Sequence, residues 1–214
     1  MTDTLELAAS VVLLCAVAVL WRRSLRTIVH ALATQGLALG VVALALGVSA
    51  HDGGLIAVGC LVIGAKGVVI PLLLGRVVAA DPSNREAAPL VNVPASLVAA
   101  AALTFVAYVA TKPVVALVPT TAGRLIPAGF ATLLIGFFAM TVRQKAISQI
   151  VGLLLVDNGI ALVAFLGTAG VPLLVELGAS LDVLLVVVVL QVLTTRIRAQ
   201  FGAIDLDQLR KLHD

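Results

Sequence analysis

The chain has 214 residues, of which 61% are hydrophobic and only 12% charged, where a soluble domain is about a quarter charged. With a mean hydropathy of +1.18, this composition excludes a soluble globule and predicts an all-α, multi-span membrane protein with no room for a sizeable extramembrane domain. Fourteen Lys and Arg against eleven Asp and Glu give a net charge of +3, but the basic residues cluster at the ends of apolar runs, which points to membrane topology and away from nucleic acid.

Seven transmembrane helices are predicted, at approximately 4 to 21, 25 to 48, 54 to 78, 92 to 110, 124 to 141, 147 to 168 and 172 to 195. Each is long enough to cross roughly 30 Å of hydrocarbon. The first has no basic region ahead of it and runs straight into Trp21-Arg22-Arg23-Ser24-Leu25-Arg26, the pattern of a retained anchor. Ser49-Ala50-His51-Asp52-Gly53-Gly54 ends the second, and the proline- and charge-bearing segment 81–89 ends the third. Segments 111–124 and 143–146 separate the next spans, and a short turn near Gly170 and Pro172 predicts that spans six and seven form an antiparallel hairpin. The whole of 1–214 reads as a single helical membrane domain, with four spans in 1–110, three in 124–195 and a tail over 199–214. In that tail, Ile204, Leu206, Leu209 and Leu212 stand among charges, as in a short surface or docking helix or in a frayed end.

Charge asymmetry sets the expected orientation. With the N-terminus outside, the inner loops and tail hold Arg22, Arg23, Arg26, Arg76, Arg85, Arg143, Lys145, Arg196, Arg198, Arg210 and Lys211, and the outer side holds Lys112 and Arg124. The positive-inside rule therefore predicts the N-terminus out and the C-terminus in, across the inner (cytoplasmic) membrane.

Lys66 is the one basic residue at membrane depth. Among the acidic residues, apart from Glu6 near the chain start, Asp157, Glu176 and Asp182 fall inside predicted spans. A charge at the centre of a spanning helix costs roughly 2.5 to 3.5 kcal/mol even on the lenient insertion scale, so it requires a partner, water or neutralisation. Asp157 and Asp182 each lie about 15 Å from one end of their spans and Lys66 about 18 Å, which places all three near the midplane. Carboxylates and an amine at one level suit proton passage, because a change in a neighbouring charge can load or unload a proton there. Asn158 and Gln35 are suited to support ordered water beside them. Glu176, about 6 Å from the outer end of its span, fits an entry or exit group or an interfacial carboxylate. The competing reading of the set is a structural Lys66–Asp157 ion pair.

Other signals have packing explanations. Gly36 and Gly40 form a G-x-x-x-G in span two, and Gly59, Gly64 and Gly67 smooth span three around Lys66, so close helix packing is expected. The run from Gly59 to Lys66 misses the phosphate-binding loop by one residue and has no following Ser or Thr, which excludes that reading. Pro71 predicts a distortion of span three beside Lys66. His30 falls near the inner face, where an interfacial role is expected. Cys15 and Cys60 lie inside spans, and without C-x-x-C or clustered Cys and His no metal, cofactor or catalytic residue is predicted in this chain.

The stretch RQKAISQIVGLLLVDNGIALVAF (143–165), with ELGASLDVLLVVVVLQVL (176–193) and AIDLDQLRKL (203–212), resembles the hydrogenase-4 component E family, membrane subunits of formate-hydrogenlyase-type complexes. AKGVVIPLLL (65–74) extends the likeness more loosely to the whole chain, and the C-terminal third is also similar to the K subunit of respiratory complex I and the C subunit of Mrp-type antiporters. The resemblance implies a noncatalytic subunit among antiporter-like and quinone-site-type membrane subunits and soluble redox subunits, with nickel–iron and iron–sulfur centres carried by those partners. It also implies proton handling by Asp157 and Asp182. Gly152 and Asn158 keep the K-subunit frame, but the acidic place of that frame is Leu154, and Asp157 stands three residues later, about 60° around the helix. An acidic residue directly before the asparagine is the component E pattern, and Asp182 falls within one residue of the second K-subunit glutamate when Gln191 is the anchor. Two alternatives remain at this point: a component of an Mrp-type cation/proton antiporter, and a purely structural membrane scaffold.

Overall fold

The apolar runs fold as helices whose ends are set by the polar residues between them. The computed structural model describes residues 2–79, 90–143 and 146–168, and among these every regular element is helical. Helix α1 (Thr2–Trp21) passes through a three-residue link into α2 (Leu25–Ala50). At the far end of α2, His51 takes the left-handed conformation (φ 53°, ψ 34°), and the amides of His51 and Asp52 donate back to Val48 and Gly47 at 3.4 and 3.0 Å. Asp52 then starts α3 (Gly53–Val62), its carboxylate accepting from the amides of Gly54 (2.8 Å) and Leu55 (3.3 Å). The link between α2 and α3 is therefore only two residues long.

The third span is not a uniform α-helix. Pro71 has no amide hydrogen, and in α geometry its ring would press on the carbonyl of Gly67. The turns before it widen instead into a π-helical segment, Ile63–Val69, with the Ile70 amide donating to the Ala65 carbonyl five residues back, before α4 (Ile70–Ala79) resumes. The distortion expected at Pro71 takes this form, and Lys66 sits at its middle.

Helix α5 (Val93–Ala110) opens with Asn92 accepting from the Ala95 amide at 3.0 Å and Pro94 in its first turn. A short α6 (Lys112–Leu117) and a 3₁₀ turn (Gly123–Leu125) lead to α7 (Ile126–Val142), and α8 (Ala146–Thr168) closes the described chain. Six of these stretches are long and apolar enough to cross a membrane: Thr2–Trp21, Leu25–Ala50, Gly53–Ala79, Val93–Ala110, Gly123–Val142 and Ile147–Gly167. The chain is an all-α polytopic membrane protein, and these six match the first six predicted spans to within a few residues. The predicted seventh span and the tail lie outside the described residues.

Large apolar side chains point outward as well as inward. Leu7 and Phe105 are 67% and 71% exposed, a surface that suits acyl chains and not water. Inside the bundle, small residues let backbones touch, as expected for helices in lipid. A Cβ on Gly36 would lie 2.5 Å from the backbone carbonyl of Lys66, and one on Gly47 would lie 2.8 Å from the Ile56 amide, so α2 rides directly on the third span. The same device joins α7 to α8: a Cβ on Gly136 would lie 2.7 Å from the Val156 amide, and one on Gly159 would lie 2.5 Å from the Leu133 amide.

At the basic end of the bundle, Arg143 closes α1. It is 5% exposed, and its Nη2 donates to the carbonyls of Val19 (2.6 Å), Leu20 (3.3 Å) and Arg22 (3.1 Å). Val19 and Leu20 supply carbonyls of the last turn of α1, which lack partners in their own helix and carry its negative dipole end, and Arg22 is the residue just past it. Burial, with the Arg23 charge adding to it, lowers the guanidinium pKa from its ordinary value. Arg143, counted from sequence among the charges expected on the inside, is thus a structural cap.

Buried apolar side chains form two groups stacked along the bundle axis. One, toward the basic end, includes Leu20, Leu25, Ile28, Leu32, Leu74, Ile135, Leu154 and Leu155. The other includes Leu5, Val12, Leu39, Leu55, Val62, Ile126, Leu162 and Phe165. On α2, the third span, α7 and α8, the polar residues described next lie between these groups.

Candidate transmembrane polar site

Lys66 and Asp157 meet. The Lys66 Nζ lies 2.8 Å from the Asp157 Oδ2, with the two side chains 3% and 16% exposed. The lysine comes from the π segment and the aspartate from α8, so the pair spans the bundle interior. The common depth expected from sequence is realised as direct contact. Beside the aspartate, the Asn158 Nδ2 donates to the Gln35 Oε1 at 2.9 Å, and the Gln35 Nε2 donates in turn to the Val12 carbonyl at 3.0 Å. Asn158 and Gln35 therefore bond to each other directly, where sequence suggested that they flank water. Among the described residues the Asn158 Oδ1 is buried and accepts no hydrogen bond.

Thr132 on α7 belongs to the same level. Its side chain is fully buried, and its hydroxyl donates to the Ala128 carbonyl at 2.9 Å. Val12, Gln35, Thr132 and Asp157 each lie about ten residues, or about 15 Å, from the basic end of their helices. Polar groups from α1, α2, the π segment, α7 and α8 thus form one layer between the two apolar groups. A threonine in an apolar helix carries no charge signal, so Thr132 could be found only by counting its depth against that of Asp157.

Gly36 brings the α2 backbone against that of Lys66, which lets the lysine side chain reach past α2 to α8. A Gly36→Ala change raises intrinsic helix propensity but sets a methyl 2.5 Å from a backbone carbonyl. The expected result is a loss of about 1 to 3 kcal/mol of stability from overpacking, read as a shifted unfolding midpoint in mixed micelles. An unchanged or raised midpoint would show that the contact yields easily. On α8, the less buried positions Gln149, Leu153, Asp157, Ile160 and Ala164 form one stripe, and Asp157 is therefore at the edge of the layer, open on one side among the described residues.

Glu176 and Asp182 lie outside the described residues. His30 is exposed and its Nδ1 donates to the Arg26 carbonyl at 2.7 Å, an interfacial position away from the layer. Cys15 and Cys60 are free thiols. Among the described residues no group of three His, Cys, Asp or Glu side chains is arranged to hold a metal ion. The arrangement can hold one charge pair, with the lysine buried and the aspartate at the edge of the layer, and a proton can pass between the two groups.

Over 210 residues the chain is 51% identical to the Mycobacterium tuberculosis protein named "Uncharacterized protein Rv0085", an alignment covering 98% of this chain and 96% of the relative. The chain belongs to the Rv0085 family. No protein-family model matches it, and no solved structure does. The name Rv0085 specifies no activity, so function within this family has to be argued from the site and not from the fold.

Proposed function

We propose that this Rv0085-family chain is a noncatalytic inner-membrane subunit of a hydrogenase-like or complex-I-like oxidoreductase assembly, and that the Lys66–Asp157 pair is a station in its transmembrane proton path. The observation that carries the reading is the pair itself, a 2.8 Å ion pair between the third span and α8, level with the buried Gln35, Asn158 and Thr132 side chains. A membrane protein that needed only adhesion between helices would use small and apolar residues there, as this chain does at its glycine contacts. Ionisable groups at that depth mark ion or proton routes by default. The resemblance of segments 143–165 and 176–193 to hydrogenase-4 component E supports the same assignment, with redox metals carried by the partner subunits.

The scaffold reading keeps one observation in its favour, namely that the lysine and the aspartate satisfy each other. Affinity purification of the tagged full chain from its own membranes in mild detergent separates the alternatives. The expected result is stoichiometric recovery with quinone-site-type and antiporter-like membrane subunits and with soluble subunits containing iron. Recovery with antiporter subunits alone and no redox metal would move the chain to the antiporter class, and recovery with no stoichiometric partner would overturn the proposal.

A further inference from the structure

Among the described residues, a groove of about 560 Å³ lies between α2 and the π–α4 part of the third span. Its chemistry changes along its length. At the basic end it is lined by Arg26, His30 and Arg76, and farther into the membrane by Ala33, Leu72 and the bend at Pro71. From Arg26 to Ala33 is about 10 Å along α2. Gly75 lies in its lining, and a Cβ there would meet nothing within 4 Å, so there is room at that position for a larger side chain. His30 has its Nδ1 committed to the Arg26 carbonyl and presents Nε2 as its other hydrogen-bonding atom.

We infer that this groove binds an anionic phospholipid, with the phosphate at Arg26 and Arg76 and the first part of one acyl chain along Ala33 and Leu72. The occupant follows from charge complementarity. Two guanidiniums at the depth of the headgroups attract a phosphate and hold it with directed donors. The apolar continuation excludes a purely water-soluble anion, because a free phosphate would leave the wall at Ala33 and Leu72 unfilled. The groove reaches Gly67 and Val68 of the π segment, the two residues after Lys66. A bound lipid would therefore pack against the turn that presents the lysine.

Native mass spectrometry of the full chain, titrated with phosphatidylglycerol and with phosphatidylcholine of the same acyl chains, tests this directly. Phosphatidylglycerol is expected to bind on the order of tenfold more tightly, since each basic residue near the surface favours an anionic headgroup. Arg26→Gln with Arg76→Gln should reduce that preference to near parity, and Gly75→Leu, which fills the groove without altering charge, should weaken both lipids. Excess inorganic phosphate should not displace the lipid. Equal affinity for the two lipids, a preference that survives the double arginine change, or full displacement by phosphate would each overturn the inference.

Discussion

Replacing Asp157 with Leu is expected to destabilise the protein by about 3 to 5 kcal/mol, and replacing Lys66 with Met in the same chain should recover most of that loss. The single change strands an ammonium group at mid-membrane with its partner gone, which is the expensive outcome for a buried pair. The double change removes both charges and continues the apolar surface formed by the two groups of core residues above and below the layer, and such replacements are often neutral or stabilising. Unfolding in mixed micelles of the wild type, the two single variants and the double variant closes a thermodynamic cycle. A coupling energy near zero would mean that the 2.8 Å contact contributes nothing in the membrane, since residues in such contact normally couple by about 0.5 to 3 kcal/mol.

Replacing Asp157 with Asn should cost less stability than Leu, because the amide still offers Lys66 an acceptor, while its effect on proton movement should be large. The amide keeps the size of the carboxylate and can still accept from Lys66, but it cannot take up and release a proton. Loss of a positioned proton-transfer group commonly lowers a rate by about a hundredfold, and a reduction of at least tenfold in proton-coupled activity of the purified assembly is the expected reading. Asp157→Glu, which restores the carboxylate one methylene farther out, should return a measurable part of it. Full activity in the Asn variant, with assembly intact, would remove Asp157 from the path.

Much of this molecule was legible in its sequence because the membrane imposes a simple depth coordinate. Arginines and prolines punctuate the apolar runs, so the ends of the first six spans followed from composition. Once those ends were known, the common level of Lys66 and Asp157 followed from counting residues. What depth does not give is rotation about each helix axis. Whether Asn158 faced Gln35 or lipid depends on how α2 and α8 turn against each other, and that angle is set by close contacts such as that of Gly36 on Lys66. The interlocking of the α7 and α8 glycines is hidden for the same reason, because it depends on how two different helices turn toward each other. The π segment required knowing that the chain would relieve Pro71 by widening the preceding turns and not by ending the helix. Arg143 looked like one charge among the inside loops, because its acceptors, the carbonyls of Val19, Leu20 and Arg22, are backbone atoms more than a hundred residues away and leave no trace in the side-chain pattern.

The ion pair has two possible roles, holding the bundle together and moving protons, and the two predictions above separate them in one variant. Lys66→Met with Asp157→Leu is expected to fold and assemble, yet it retains no titratable group of the pair. Proton translocation by the purified assembly carrying that double change, reconstituted in liposomes and followed with a trapped pH-sensitive dye, is the most direct test of the central claim. A stable, fully assembled complex that no longer acidifies or alkalinises the vesicle interior is expected, and translocation at the wild-type rate would show that the pair carries no protons.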